Sequence, residues 1–228
     1  MAEDALMSLQ DQAYRAMRRN IIFLTYKPGQ KLVLKHVCDD LQVGRTPVRE
    51  SIVRLQQEGL VGAIPQSGTY VSKISLAAAE SARFVREHLE REVAIECCAR
   101  ATRVDIDALD RAIALQEEAA RTHSNGDFFI SDNLMHQAIF DIAGRSEVWS
   151  WLSTTNADLE RYRWLRIMTE GLAWDSILQQ HHRIREAIVR HDPMETSYLI
   201  SLHLHMMFDD QSSVIQEYSD YFADNAPA

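Results

Sequence analysis

One aspartate and three histidines in the second half of the sequence are the side chains best suited to chemistry: Asp132, His136, His181 and His203. Asp132 and His136 are four residues apart, so a helix would put both on one face, about one turn (~5.4 Å) apart. His181 and His203 each lie about ten or eleven residues from a predicted turn at 191–193, which places them at similar heights on antiparallel helices. Such a set of nitrogen and oxygen donors suits Zn²⁺ or another first-row divalent ion such as Ni²⁺ or Mn²⁺.

The same histidines also have an ordinary interpretation. A single histidine in a helix is more often a satisfied core or surface residue than a metal ligand, and an Asp-x3-His pair is a weak signal. His182 and His205 are close neighbours of the candidates and could replace them. The residues alone leave both interpretations open.

A second candidate site lies between residues 41 and 60, where arginines accompany a short predicted helix. Its apolar residues recur at helical spacing: Val48, Ile52 and Leu55. Arg49 and Arg54 flank the polar side, and Arg45 precedes the first turn. Arginine at the start of a recognition helix can contact guanine O6 and N7 through two hydrogen bonds, and Thr46 with the helix N-terminus can hold a phosphate. This pattern predicts a helix that enters the major groove of DNA, with Arg54 contacting the backbone or pairing with an acid.

The elements around this helix predict a winged helix-turn-helix. Apolar periodicity indicates helices at 8–24 and 32–41 before it. Two short runs with strand character, 60–64 and 69–73, follow it and flank a turn that ends in Gly68. The glycine would let the tip of the wing approach the minor groove closely.

Beyond residue 76 the sequence predicts helices only. Their predicted ranges are 77–101, 104–122, 127–144, 146–169, 174–191 and 193–218. The predicted fold class is therefore mainly α: an N-terminal winged helix-turn-helix and a C-terminal antiparallel bundle of six to seven helices. The predicted domains are 1–76 for DNA binding and 77–228 for metal binding, effector binding and dimerisation.

Composition agrees with two modules of different charge. The whole chain carries a net charge of −9, but residues 1–76 hold ten Lys and Arg against seven Asp and Glu, a net +3. Residues 77–228 hold fourteen against twenty-six, a net −12. A basic module joined to an acidic one favours a DNA-contacting unit and a unit that repels DNA. No apolar run reaches the ~18 residues of a membrane span, so we expect a soluble, cytoplasmic protein without a membrane partner.

Several motifs together resemble a known family. The segments are LQVGRTPVRE at 41–50, RL at 54–55, EGL at 58–60 and GTYV at 68–71. They resemble the DNA-binding domain of the GntR family of bacterial transcription regulators, and the helical remainder resembles the FCD domain of its FadR-like branch. The resemblance covers essentially the whole chain. It implies that Arg45, Thr46, Arg49, Arg54 and Gly68 contact DNA.

For the helical domain, the resemblance implies a metal held by one aspartate and three histidines, matching Asp132, His136, His181 and His203. His181 fits better than His182, because the family pattern H-x-x-I-x-x-A-I is in phase when counted from His181. Arg86, in the family's R-x-x-L-E signature, is implied to bind a small carboxylate effector, although it could instead be an ordinary i,i+4 partner of Glu90. The family further implies a homodimer on a pseudo-palindromic operator.

Two features depart from the family pattern, one before the predicted recognition helix and one in the wing. Gly44 stands where serine is common, so a side-chain N-cap is missing there. Gln66 and Ser67 replace basic residues beside the wing glycine, which predicts a weaker minor-groove contact.

Three functions follow as hypotheses. The first is a transcription regulator, in the family's usual form a repressor relieved by an organic acid. The second is a metal-dependent enzyme in the helical domain with an accessory DNA-binding module, since a metal with open positions can activate water. No residue reads as a positioned nucleophile or general base, so we expect no enzyme activity. In the third, the metal is purely structural.

Overall fold

A computed structural model describes residues 7–172 and 174–223 of the chain. The described residues form two compact units. The first draws on Met1–Ala79, Ala157–Tyr162 and Tyr218–Ala228, and the second on Glu80–Asn156 and Arg163–Glu217. Each unit combines separate segments of the chain, and the domain division predicted at residue 76 stays a prediction.

The first unit begins with three helices: α1 at Leu9–Ile22, α2 at Leu34–Leu41 and α3 at Arg45–Gln57. Helix α1 starts at Ser8, whose side chain accepts a hydrogen bond from the Asp11 N–H. It buries Met17 and Ile21 completely, at the i, i+4 spacing of one helix face. Helices α1 and α2 both pack against α3 and support its position.

Helix α3 separates a buried face from an exposed one. Val48 and Leu55 are fully buried, and the Ser51 hydroxyl lies inside as well because it donates to the Pro47 carbonyl, 2.8 Å away. After the helix, Gly59 adopts a φ of +72°, a left-handed conformation that favours glycine. The exposed residues of the helix include Arg45, Arg49 and Arg54.

The wing is a two-stranded antiparallel sheet of β1 (Val61–Ile64) and β2 (Gly68–Val71). Its register pairs Val61 with Val71 and Ile64 with Gly68, and the Ser67 N–H closes the turn on the Ile64 carbonyl at 3.0 Å. Strand β2 also bridges to Lys31, which anchors the wing to the segment before α2.

Distant parts of the chain complete this unit. The Arg161 guanidinium, fully buried, donates through Nη1 to the Ser72 carbonyl at 2.6 Å and through Nη2 to Asp158 at 2.6 Å. Ile74 forms a parallel bridge with Phe222.

Helices dominate the remainder of the chain. They are α4 at Leu76–Arg100, α5 at Arg103–Arg121, α6 at Asn125–Ile142, α7 at Ser146–Thr155, α8 at Ala157–Met168, α9 at Asp175–Val189, α10 at Pro193–His205 and α11 at Gln211–Glu217. Helix α5 packs against α6 and α9, and α9 packs against α10. This arrangement confirms the predicted fold class. None of the helices among the described residues is long and apolar enough to cross a membrane.

Two segments predicted as single helices are interrupted. The predicted helix 146–169 divides at Asn156, which ends α7 with a φ of −106° and a ψ of 27° and precedes α8. The predicted helix 193–218 ends as an α-helix at His205, tightens into a 3-10 turn at Met206–Phe208 and resumes as α11. Both breaks occur without glycine or proline, which explains why the hydrophobic pattern ran through them.

The cap of α3 generates a stability prediction. Gly44 is the N-cap, its φ of −71° and ψ of 169° suit a serine cap, and an added Cβ would meet only Pro47 Cδ, at 3.9 Å. We expect Gly44→Ser to be more stable than Gly44→Ala by about 1 kcal/mol, because only serine can accept a hydrogen bond from the first turn.

The comparison of serine with alanine cancels the backbone entropy that any glycine replacement removes from the unfolded state. Denaturant unfolding of the two variants measures the difference. Equal stabilities would show that the start of α3 gains nothing from a side-chain cap.

Candidate metal centre and DNA-binding surface

The four side chains singled out in the second half of the sequence come together inside the second unit. Helix α6 supplies Asp132 and His136, α9 supplies His181, and α10 supplies His203. Each offers one ligand atom, and these atoms all lie within 4.8 Å of one another. All four side chains are buried. A single ion could therefore be reached by all of them.

Every imidazole in this cluster is held through its Nδ1 atom. His181 Nδ1 lies 2.6 Å from Gln116 Oε1 on α5, and His203 Nδ1 lies 2.7 Å from Gln180 Oε1 on α9. The His136 Nδ1 bonds the Oε1 atom of Glu90 on α4. An amide or carboxylate oxygen only accepts, so each neutral ring carries its proton on Nδ1 and directs the lone pair of Nε2 inward. Outer partners of this kind orient histidines that bind metals.

The three Nε2 atoms consequently face one another. The Nε2 atom of His203 lies 3.2 Å from that of His136 and 3.3 Å from that of His181. Asp132 adds two oxygens, Oδ2 at 3.8 Å from His136 Nε2 and Oδ1 at 3.7 Å from His181 Nε2. Imidazole lone pairs that converge on a carboxylate are the donor set that a divalent metal ion binds. The donor set and its orientation therefore fit a divalent metal.

Burial sets the protonation states of the cluster. It lowers the pKa of His181 to about 3, despite the opposing effect of Asp132, and it lowers that of His203 well below the usual value. Burial alone would raise the pKa of Asp132, but Arg163 and the histidines lower it further than burial raises it. These two imidazoles are thus neutral and Asp132 is ionised at neutral pH, the states in which each can bind a metal.

Asp132 is also fixed by two side chains from other elements. Gln116 Nε2 donates to Oδ1 at 3.2 Å, and Arg163 Nη2 on α8 donates to Oδ2. Arg163 Nη1 in turn donates to Asn133 Oδ1 at 2.8 Å. A cavity of about 30 Å³ beside the cluster is lined in part by Asp132, Arg163 and His203.

Arg86 lies one turn before Glu90 on α4 and is completely buried. Its Nε atom donates to Glu90 Oε2 at 3.0 Å, so the predicted i,i+4 pairing is present. Its Nη1 and Nη2 atoms nevertheless have no hydrogen-bond partner among the residues that the structure describes. Burial raises the pKa of Glu90, but His136 and Arg86 outweigh it and hold that pKa at about 2. Two buried donors of the Arg86 guanidinium are thus available to an anion.

The first unit presents its own charged surface on α3. Arg45, Thr46 and Arg49 are exposed at the start of the helix. Arg54 is differently placed: its Nη1 donates to Asp11 Oδ1 at 2.8 Å, and its guanidinium lies over the ring of Tyr14, 3.7 Å from the centroid. The alternative of pairing with an acid is therefore what the structure shows for Arg54.

Lys31 gives the wing a basic residue that sequence reasoning missed. Its side chain lies against Gly68, where an added Cβ would come within 2.8 Å of Lys31 Cε, and its ammonium lies 5.8 Å from the centre of the Tyr70 ring. Gly68 has a φ of +138°. A larger residue would displace the lysine, so the glycine permits a close approach of Lys31 to the wing tip.

Comparison with known proteins identifies both units. Residues 9–71 match the family described as bacterial regulatory proteins, gntR family, and residues 82–206 match the FCD domain. The chain belongs to the GntR family. It is a transcription regulator with a GntR helix-turn-helix domain and an FCD domain, as the sequence motifs predicted.

Full-length relatives agree. The chain is 29% identical over 216 residues to the HTH-type transcriptional repressor RspR of Escherichia coli (strain K12), covering 95% of this chain and 94% of that protein. It is 26% identical to the Uxu operon transcriptional regulator of the same strain, covering 85% and 83%. The solved structure of E. coli McbR/YncC has the same fold, with a TM-score of 0.79 at 17% identity over 93% of this chain and all of that one. Both sequence relatives are named as transcription regulators, in agreement with the prediction of a regulator rather than an enzyme.

Within the FCD domain, the structure separates the alternative histidines. His181 and His203 point into the cluster, whereas His182 is exposed and lies 2.9 Å from Glu117 Oε1. The side chain of His205 is 69% exposed and lies near Glu87. The outer partners Gln116, Gln180 and Arg163 were missed because no local pattern links them to the histidines. Only Glu90 carried a signal, as the last residue of the R-x-x-L-E signature.

We expect metal-free protein to lose stability as the pH falls below about 6.5, the ordinary pKa of histidine. Folded His181 stays neutral down to a pKa of about 3, whereas unfolded histidine takes up a proton in that window. The unfolded state then binds more protons, so the free energy of unfolding falls by up to about 1.4 kcal/mol per pH unit for each such histidine. Denaturant unfolding of chelator-treated protein at several pH values measures this slope.

The matched variant is His181→Gln, which removes the titrating ring and keeps a polar side chain. At the acidic end of the window, the free energy of unfolding of this variant should fall less steeply with decreasing pH. The difference in slope should correspond to about one bound proton. If the variant and the unaltered protein have the same slope, the buried neutral state assigned to His181 is wrong.

Proposed function

We propose that this GntR-family protein is a transcriptional repressor whose release from DNA is controlled by a small organic acid bound at a metal in the FCD domain. The observation that carries the proposal is the convergence of three histidine Nε2 atoms and Asp132 beside the unpartnered guanidinium nitrogens of Arg86. The relative RspR is named a repressor, which supports repression rather than activation.

DNA recognition is proposed for the exposed start of α3 and for the wing. Arg45 and Arg49 would contact base edges in the major groove, and Thr46 with the N-terminus of the helix would hold a phosphate. Gly68 would bring the wing tip, with Lys31 behind it, to the minor groove. Arg54 would take part only if its ion pair with Asp11 opens. A homodimer would bind a pseudo-palindromic operator, with one helix α3 in each half-site.

The metal is proposed to be Zn²⁺, with Ni²⁺ and Mn²⁺ as further candidates, held by Asp132, His136, His181 and His203. Three neutral imidazoles and one carboxylate are a ligand set common to zinc and other first-row ions. When bound, the metal would supply a Lewis-acidic centre that attracts a carboxylate. Gln116, Gln180 and Glu90 would keep the imidazoles in the required tautomer.

The effector is proposed to be a small carboxylate bound by Arg86. A guanidinium holds a carboxylate through two parallel hydrogen bonds, and Nη1 and Nη2 are the atoms that Arg86 leaves unused. The Arg86 guanidinium also lies 5.5 Å from the centre of the Trp149 ring, a contact that restricts its orientation. A regulator of this kind acts on chromosomal DNA, so we propose a cytoplasmic location.

For the DNA site, Arg49→Ala should weaken binding to the operator far more than binding to unrelated DNA. Loss of a bidentate contact to guanine costs roughly 1–3 kcal/mol and relaxes the preference at that base pair. Fluorescence anisotropy with the protein's own promoter region and with scrambled DNA measures both affinities.

Two variants serve as controls. Lys31→Gln should weaken binding to both DNAs alike and reduce the salt dependence by about one ion, as expected of a phosphate contact. Arg111→Ala removes one exposed charge from α5 and should leave both affinities unchanged. Equal losses of operator binding and of binding to unrelated DNA in Arg49→Ala would remove the proposed base contact.

For the metal site, His181→Ala should abolish the rise in melting temperature that zinc causes in the unaltered protein. A ligand that binds only the folded state raises stability in proportion to ln(1 + [L]/Kd), so removing a metal-binding side chain, which raises Kd, removes the effect. His182→Ala is the matched control, since it removes the adjacent, exposed imidazole. A zinc-induced shift that survives in His181→Ala, or disappears in His182→Ala, contradicts the assignment.

The remaining alternative gives the metal a purely structural role. It predicts that chelation lowers the melting temperature while acid binding and DNA binding stay unchanged. The unpartnered Nη1 and Nη2 of Arg86 favour the effector role. A purely structural metal would not explain why these two buried donors lack acceptors, whereas a bound acid would supply the acceptors.

A further inference from the structure

The buried charges around the histidine cluster cancel before any metal is counted. Among the described residues of the second unit, the buried charged side chains that bond to the cluster or to its direct partners are two carboxylates and two guanidiniums: Asp132, Glu90, Arg86 and Arg163. Their sum is zero. The imidazoles add nothing, since a histidine that binds a metal is neutral.

Charged pairs at the edge of the site do not alter this balance. Glu87, which is also buried, pairs with Arg83, and Arg166, which lines the cavity beside the cluster, has its Nη2 atom 2.8 Å from Asp210 Oδ2. Each pair contains one positive and one negative side chain. The net charge inside therefore depends on the inner four residues.

Arg163 lies in a fixed position beside Asp132, and its charge therefore offsets that of a proposed metal ligand. It donates to Asp132 Oδ2 and to Asn133 Oδ1, and its guanidinium lies 5.1 Å from the centre of the Phe129 ring, so its position is fixed from three sides. Asp132 is the only carboxylate among the proposed ligands, and Arg163 already neutralises it. Glu90 is likewise matched by Arg86, at 3.0 Å. A divalent ion would thus bring two positive charges that no buried side chain offsets.

Uncompensated charge in a protein interior is costly, and an occupant of opposite charge relieves the cost. We infer that the effector of this site is a dianion, in the simplest case a dicarboxylate, and that Arg163 is the residue that sets this charge requirement. The inference rests on the proposed metal and acid-binding function. If a neutral residue replaced Arg163, the site with its divalent metal would carry a net charge of about +1. A monoanion would balance that charge.

The two binding groups also suit two acidic ends. A metal held by Asp132 and the three histidines would attract one carboxylate, and Nη1 and Nη2 of Arg86 are available to another. Arg163 is engaged by Asp132 and Asn133 and also lines the cavity beside the cluster, so its positive charge faces a ligand bound there.

Isothermal titration of the zinc-loaded, full-length protein tests the charge requirement with probes of matched size. Succinate is compared with its monoamide succinamate, and malonate with malonamate, so that each pair differs by one charge. We expect the dianion of at least one pair to bind on the order of tenfold more tightly or better, the effect of one unit charge at short range in a protein. Equal affinities within the pairs would overturn the inference and leave carboxylate binding intact. Absence of binding by all four probes would contradict the proposed acid binding and, with it, the inference.

Variants at Arg163 provide the second test, with zinc content and circular dichroism checked first. Arg163→Gln keeps a hydrogen-bond donor for Asp132 but removes the charge, and the preference for the dianion should fall on the order of tenfold. Arg163→Lys keeps the charge and should keep the preference. A full preference in Arg163→Gln would show that Arg163 does not set the charge. If that variant does not fold, the paired probes on the unaltered protein and on Arg163→Lys still decide the question.

Discussion

Three imidazole nitrogens that face one another inside a helical bundle are the constraint on which the second unit depends. Helices α6, α9 and α10 bring in His136, His181 and His203, while α4, α5 and α9 supply the oxygens that hold their Nδ1 atoms. The convergent lone pairs and the Asp132 carboxylate would serve as ligands for one cation. The helices that form the bundle therefore also form the site, because each one buries its apolar face and places a polar side chain at the cluster.

In the DNA-binding unit, by contrast, the side chains proposed to bind DNA lie at the surface rather than in the core. Val48 and Leu55 anchor helix α3, and the arginines at its start remain exposed. Arg54 shows that residue type alone does not make a DNA contact, since Asp11 and Tyr14 already occupy it. Lys31 is the opposite case, a residue outside the wing strands that adds a positive charge to the wing. Its side chain reaches the wing because Gly68 has no side chain.

Local sequence patterns predicted most of the fold, and they failed where local signals were absent or overlooked. Apolar periodicity predicted the helices and the wing, but it ran through Asn156, where an asparagine followed by acids in the next turn is a readable start signal. The metal-site candidates could be predicted because Asp132 and His136 share a helix face and the turn near Asp192 matches the heights of the other two. Gln116, Gln180 and Arg163 could not be predicted, since periodicity indicates which face is buried but not which distant residue lies opposite.

We propose above all that the cluster of Asp132 with three histidines holds a divalent metal in the folded protein. X-ray diffraction from protein purified without chelator, with data on both sides of the zinc absorption edge, tests it most directly. We expect one strong anomalous peak, about 2.0–2.2 Å from the Nε2 atoms of His136, His181 and His203 and from an oxygen of Asp132. A well-ordered map with no anomalous peak at any first-row metal edge, and with the three imidazoles hydrogen-bonded to water or to one another, would contradict it.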